Sequence, residues 1–81
     1  MQPNPDKIDN AVLALQHLTA FTEGKGELAV TCAWKGHDWA ALDRLHAKRF
    51  ISNPKNKYKA GVLTETGRRR AEELFSRLFC D

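Results

Sequence analysis

Between positions 6 and 22 the apolar residues Ile8, Val12, Leu15 and Leu18 fall on one helical stripe, with Ala11 and Thr22 beside it. Leu13 and Phe21 lie off the stripe with Ala20 nearby, so the apolar surface is wider than a single contact needs. The pattern predicts a first helix over this span, either enclosed on two sides or shared with a second copy. Asn4 with Pro5 in the first turn, or Asp6 with Asp9, can cap its start, and the glycines of "EGKG" at 23–26 end it. The run "ELAVTCAWKG" then carries Val30, Thr31 and Trp34 and reads as a short strand, with a stub of helix as the alternative.

A second helix opens at Asp38, whose carboxylate suits an N-cap. Trp39, Leu42 and Leu45 follow at helical spacing toward the core, with His46 and Arg49 continuing the edge. Ala40, Ala41, Arg44, Ala47 and Lys48 are left to point outward. Residues 50–52 and 58–63 read as two strands joined by the turn cluster Asn53-Pro54-Lys55-Asn56. A lone hairpin is unstable, and the segment 28–34 is its natural third strand. Thr64 caps a last helix with Glu65 in the first turn. Ala71, Leu74, Phe75, Leu78 and Phe79 repeat at amphipathic spacing, and Arg69–Glu73 and Glu73–Arg77 pair on the wet side. The expected architecture is α+β: three helices with a two- or three-stranded antiparallel sheet, one domain over 6–81 behind a disordered tail at 1–5.

Charge adds an asymmetry that the net value of +3 conceals. Residues 1–43 hold three basic and six acidic residues, and residues 44–81 hold ten and four. Between 44 and 70 there are nine basic residues against Glu65. Concentration of this kind points to a surface that meets something anionic. No stretch of about 18 apolar residues is present, and "MQPNPDK" lacks the order of a secretory signal, so a cytoplasmic protein with no membrane contact is expected. Cys32 and Cys80 are far apart and read as two thiols. At 81 residues the chain buries only roughly 60–65% of its unfolded surface, so a second copy would help it.

The second half, "LDRLHAKRFIS" followed by a basic turn and "VLTETGRRRAEELF", resembles the winged-helix domains of MarR- and PadR-type bacterial regulators. The resemblance implies a recognition helix, a basic β-wing and an "LTxxG" junction, in which Leu63 plugs the core, Thr64 caps the next helix and Gly67 allows close approach to a neighbour. The whole chain also resembles a small family of bacterial proteins of unknown function. Its pattern is matched by "KIDNAVLALQHLT" at 7–19, "AWKGHDWAALDRLHAKRFIS" at 33–52 and "VLTETG" at 62–67. Only residues 23–37 separate the first helix from Asp38, so the helix that would support a recognition helix is reduced or missing.

Candidate chemistry is sparse apart from the cations. Alternation in an extended wing would put Lys55, Lys57 and Lys59 on one face around Tyr58, suited to phosphates; edge lysines that prevent aggregation are the plainer account. Arg68, Arg69 and Arg70 at a helix start oppose its dipole, and successive residues turn about 100°, so they cannot all face one way. His17, His37, His46 and Cys32 have no zinc spacing, and no metal or other cofactor is expected. Trp34 and Trp39 are expected to cover the core; stacking on a nucleobase would require their exposure. No nucleophile with a paired base and no phosphate loop is present, so an enzyme is not expected. The leading expectation is a nucleic-acid-binding, transcription-regulator-like module. It would grip the backbone of double-stranded DNA through Arg44, Lys48, Lys55, Lys57, Lys59, Arg68 and Arg69, and act as a homodimer through the first and last helices. A protein–protein interaction module of the same form is the alternative. No small-molecule ligand is evident.

Overall fold

The computed structural model describes residues 1–56 and 58–81; the expectation for Lys57 falls outside them. Helix α1 (Pro5–Leu18) starts where the Asn4 side chain accepts from the amides of Asp6 and Lys7 at 3.0 and 3.3 Å. Of the two caps the sequence allowed, Asn4 with Pro5 in the first turn is the one that forms. The helix stops at Leu18, short of the expected 22. Phe21–Glu23 instead forms strand β1, and Gly24, with φ of +86°, turns the chain into a 3₁₀ turn at Gly26–Leu28. A Cβ at Gly24 would lie 2.6 Å from the Leu28 carbonyl oxygen, so the turn takes glycine for space as well as for backbone sign. Strand β2 (Val30–Trp34), helix α2 (Trp39–Ala47), strand β3 (Ala60–Leu63) and helix α3 (Glu65–Phe79) complete the α+β order.

The three strands form one antiparallel sheet in the order β1-β2-β3, with Phe21 opposite Cys32 and Cys32 opposite Val62. The arrangement is compatible with a winged-helix-like domain. The expected strand at 50–52 shrinks to a bridge between Ile51 and Leu63, supported by the Ser52 amide donating to the Val62 carbonyl at 2.8 Å. The reason lies upstream. The Phe50 amide still donates to the Leu45 carbonyl, and Arg49 takes φ of +65°, so the chain is closing α2 where a strand would have to begin.

The junction from β3 to α3 is built around one carbonyl. Thr64 donates its amide to Phe50 O at 3.0 Å and its hydroxyl to Arg49 O at 2.7 Å, while the same hydroxyl accepts from the Gly67 amide at 2.9 Å. A Cβ at Gly67 would overlap the Phe50 carbonyl group, so glycine is obligatory there. The buried core comprises Val12, Leu13, Ala14, Ala41, Leu42, Leu45, Ile51, Leu63, Ala71 and Leu74.

Several expected faces are turned. On α1 the buried side carries Asp9, Val12, Leu13 and Gln16, while Ile8, Leu15 and Leu18 of the expected stripe are exposed. On α2 Ala41 is buried and Trp39 is exposed. Leu78 and Phe79 at the end of α3 are also exposed. The buried side of α1 packs Val12, Leu13 and Ala14 into the core and places Asp9 against Arg44 of α2.

Candidate nucleic-acid interface

Asp9 is completely buried, and it receives Arg44 Nε at 3.0 and 2.9 Å, Arg44 Nη2 at 2.8 Å and Lys48 Nζ at 3.2 Å. Lys48 also reaches Asp6 at 3.4 Å. A bidentate guanidinium on a carboxylate is the strongest common side-chain pair, and here it ties α1 to α2. Burial opposes ionisation of Asp9, but the hydrogen bonds and charges of Arg44 and Lys48 outweigh it and hold the carboxyl below the usual carboxylate range. Arg44 is held above its ordinary value, chiefly by the hydrogen bond to Asp9. With Asp38 and Asp43 on the same helix, this end of α2 offers a phosphate little unopposed positive charge.

The arginine run is similarly engaged. Arg68 and Arg69 both bond Glu65, at 2.7 and 3.2 Å, and Arg70 and Arg77 share Glu73, at 2.9 and 3.3 Å. The hydrogen bond from Arg68 is the main reason the Glu65 carboxyl is lowered and the Arg68 guanidinium raised. These pairs lie on an exposed helix face and cost little to break, yet each arginine carries its neutralising partner one turn away.

The wing differs from both. Among the described residues, 53–56 and 58–59 do not alternate as an extended hairpin. Asn53 Oδ1 accepts from the Lys55 amide at 2.9 Å and Asn56 Oδ1 from the Tyr58 amide at 2.9 Å, two successive Asx turns. Lys35, just past β2, donates its ammonium to Pro54 O at 3.0 Å and Asn56 Oδ1 at 2.8 Å and fastens the loop against the end of the sheet. Lys55 and Lys59 are exposed, and among the described residues neither makes an ion pair.

Beside this loop lies the feature that sequence reasoning placed in the core. Trp34, Trp39 and Tyr58 are 53%, 55% and 65% exposed. Alternation along β2 turns the small side chain of Ala33 inward and Trp34 outward. Phe21 stacks on Trp34 at 5.4 Å between ring centroids, and Cys32, with burial and the Glu23 charge pushing its thiol up, lies on the floor. Two adjoining depressions of about 480 and 470 Å³ share Trp34, Tyr58 and Lys59; the first extends over Val62 to Glu23, the second past Lys35 to Trp39. Together they form a groove with aromatic walls and lysines along one rim. The available sequence signal was the small pair Thr31 and Ala33 on one face of β2, with Gly61 opposite Ala33, which leaves Trp34 on the other face.

Both cysteines are free, and among the described residues no group of three His, Cys, Asp or Glu side chains could hold a metal ion. His46 Nδ1 lies 3.1 Å from Ile51 O, and His17 packs on Phe75 at 5.1 Å, contacts that locate these rings structurally. Among the described residues, no helix is long and apolar enough to cross a membrane.

Residues 4–81 match the model of a family described as a domain of unknown function, DUF6429. The chain belongs to this family. A DUF6429-sized relative, "Uncharacterized protein y4hR" of Sinorhizobium fredii, is 54% identical over 79 residues, covering 98% of this chain and 97% of its own length. No solved structure matches the chain.

Proposed function

We propose that this DUF6429 protein is a nucleic-acid-binding module whose contact surface is the groove between the outer face of the sheet and the wing loop. The observation that carries the reading is the exposure of Trp34, Trp39 and Tyr58 next to Lys59. Aromatic walls with a cationic rim offer a base its stacking surface and a phosphate its counter-charge. Of the seven cations considered from sequence, Lys59 lines this groove and Lys55 is exposed one residue before Asn56 of its lining; Lys57 lies outside the described residues. Arg44 and Lys48 serve the α1–α2 contact, and Arg68 and Arg69 their glutamate.

Titrating fluorescent oligonucleotides, single- and double-stranded, at about 50 and about 200 mM salt tests this directly, because affinity carried by phosphate contacts falls as salt rises. Replacing Lys55 and Lys59 together by Ala should weaken binding and flatten the salt dependence, each lost contact lowering the slope by roughly 0.7–0.9. Absence of binding to any oligonucleotide at low salt refutes the reading.

A second reading, a protein-interaction surface, rests on Leu18, Leu78 and Phe79, all more than half exposed. Phe79 packs on Phe75, which packs on His17, so these residues border one apolar ridge at the ends of α1 and α3. The partner proposed for it is a second copy of the chain, which would give a small domain the burial it lacks alone. Light scattering across a concentration series tests it: a constant monomer mass rules it out.

A further inference from the structure

We infer that the occupant of the groove is an unpaired strand, DNA or RNA, rather than a duplex; this rests on the nucleic-acid reading and narrows it. Inside a duplex the faces of the bases are covered by their neighbours, so exposed rings gain nothing from it. A single strand presents those faces, and every base has one. Trp34, Trp39 and Tyr58 stand along one groove, each more than half exposed, at a spacing set by the end of β2, the start of α2 and the wing. Charge fixes the orientation of the strand. Lys35 and Lys59 lie on the wing side, whereas Glu23 closes the opposite end of the first depression, so the backbone follows the wing and the bases point toward the sheet. A helix reading the major groove would instead need a cationic face, and the corresponding cations of α2, Arg44 and Lys48, are held by Asp9 and Asp6.

The chain supplies its own reporter, because its two tryptophans are both at the groove. Intrinsic fluorescence is followed while oligothymidylate of about ten nucleotides, oligouridylate of the same length, or a mixed-sequence duplex is added at low salt. The expected result is saturable quenching by one or both single strands, with the duplex binding at least about tenfold more weakly. Trp39→Ala, at an exposed position outside the core, should lose about 5- to 100-fold in single-strand affinity measured by anisotropy, and Trp39→Phe should recover most of it. Circular dichroism confirms that both variants fold, and Tyr58→Ala gives an independent second site.

Two results overturn the inference and are distinguishable. A duplex bound as tightly as the single strands, with Trp39→Ala and Tyr58→Ala unchanged, removes the single-strand inference and leaves nucleic-acid binding standing. No response to any oligonucleotide, with quenching by an acidic polypeptide such as polyglutamate, removes both.

Discussion

Replacing Asp9 by Asn tests whether one buried carboxylate fixes the angle between α1 and α2. The substitution keeps the shape and one acceptor oxygen, but it removes the charge and turns an NH₂ group toward the cations that now contact Oδ1 and Oδ2 at 2.8 to 3.2 Å. Each lost charge-assisted hydrogen bond is worth about 1.5–3 kcal/mol. Arg44 and Lys48 side chains are 36% and 38% exposed, so water can take them up and the loss falls toward the lower end, about 2 kcal/mol. For a domain of this size that is a fall of roughly 8–16 °C in Tm. The pH dependence has a definite sign. The Asp9 carboxyl is lowered in the folded protein, so its contribution is fully present above the unfolded carboxylate value near 3.9 and disappears as pH falls through the lower folded value. Urea unfolding of the wild type and Asp9→Asn at pH 7, and again at pH 4 and below, measures both effects. A stability loss under about 0.5 kcal/mol at pH 7, or a loss that does not shrink in acid, refutes the assigned role of the contact.

Gly67→Ala should cost at least about 3 kcal/mol, because its Cβ meets backbone at Phe50 and cannot be relieved by a rotamer change; thermal melts by circular dichroism check it, and Gly36→Ala, with open space around its Cβ, is the control. Gln16 is buried with its Oε1 unpaired among the described residues, so Gln16→Met should raise stability by about 1 kcal/mol in the same urea assay. Lys35→Met removes the ammonium that gathers Pro54 and Asn56, and hydrogen exchange should then show faster exchange at the Lys55 and Tyr58 amides while the α3 amides keep their protection.

Local chemistry made much of this fold readable in advance. Asp38 caps α2 by accepting from the Ala41 amide at 3.1 Å, Thr64 caps α3, and Gly67 sits under Phe50, each as its residue type and position imply. Segment 28–34 does supply the strand beside β3. Strand β1 was hidden because Ala20 and Phe21 extend the helical apolar pattern; the signal that wins is tertiary, the pairing of Phe21 with Cys32. The face of α1 could not be read locally at all. Burial of Asp9 is tolerated because Arg44, 35 residues later, pairs with it, while Ile8 and Leu15 on the other side stay exposed. The same blindness applied to the candidate site. Counting cations located a basic half, whereas contacts decide which cations are engaged: Arg44 and Lys48 are held by acids of the other half and the α3 arginines by acids one helix turn away, while Lys55 and Lys59 make no ion pair among the described residues. The exposure of Trp34 and Trp39 depends on which side of a three-stranded sheet the helices cover, a global property that no five-residue pattern specifies.

The most direct measurement of the central claim is a set of ¹H–¹⁵N correlation spectra of the full chain titrated with a short single-stranded oligonucleotide. The account predicts that the largest shifts fall on the indole N–H groups of Trp34 and Trp39 and on the amides of Lys35, Tyr58, Lys59 and Val62, with Arg44 and Lys48 nearly unmoved. Shifts concentrated on α2 around Arg44, or along α3 from Arg68 to Arg77, would contradict it.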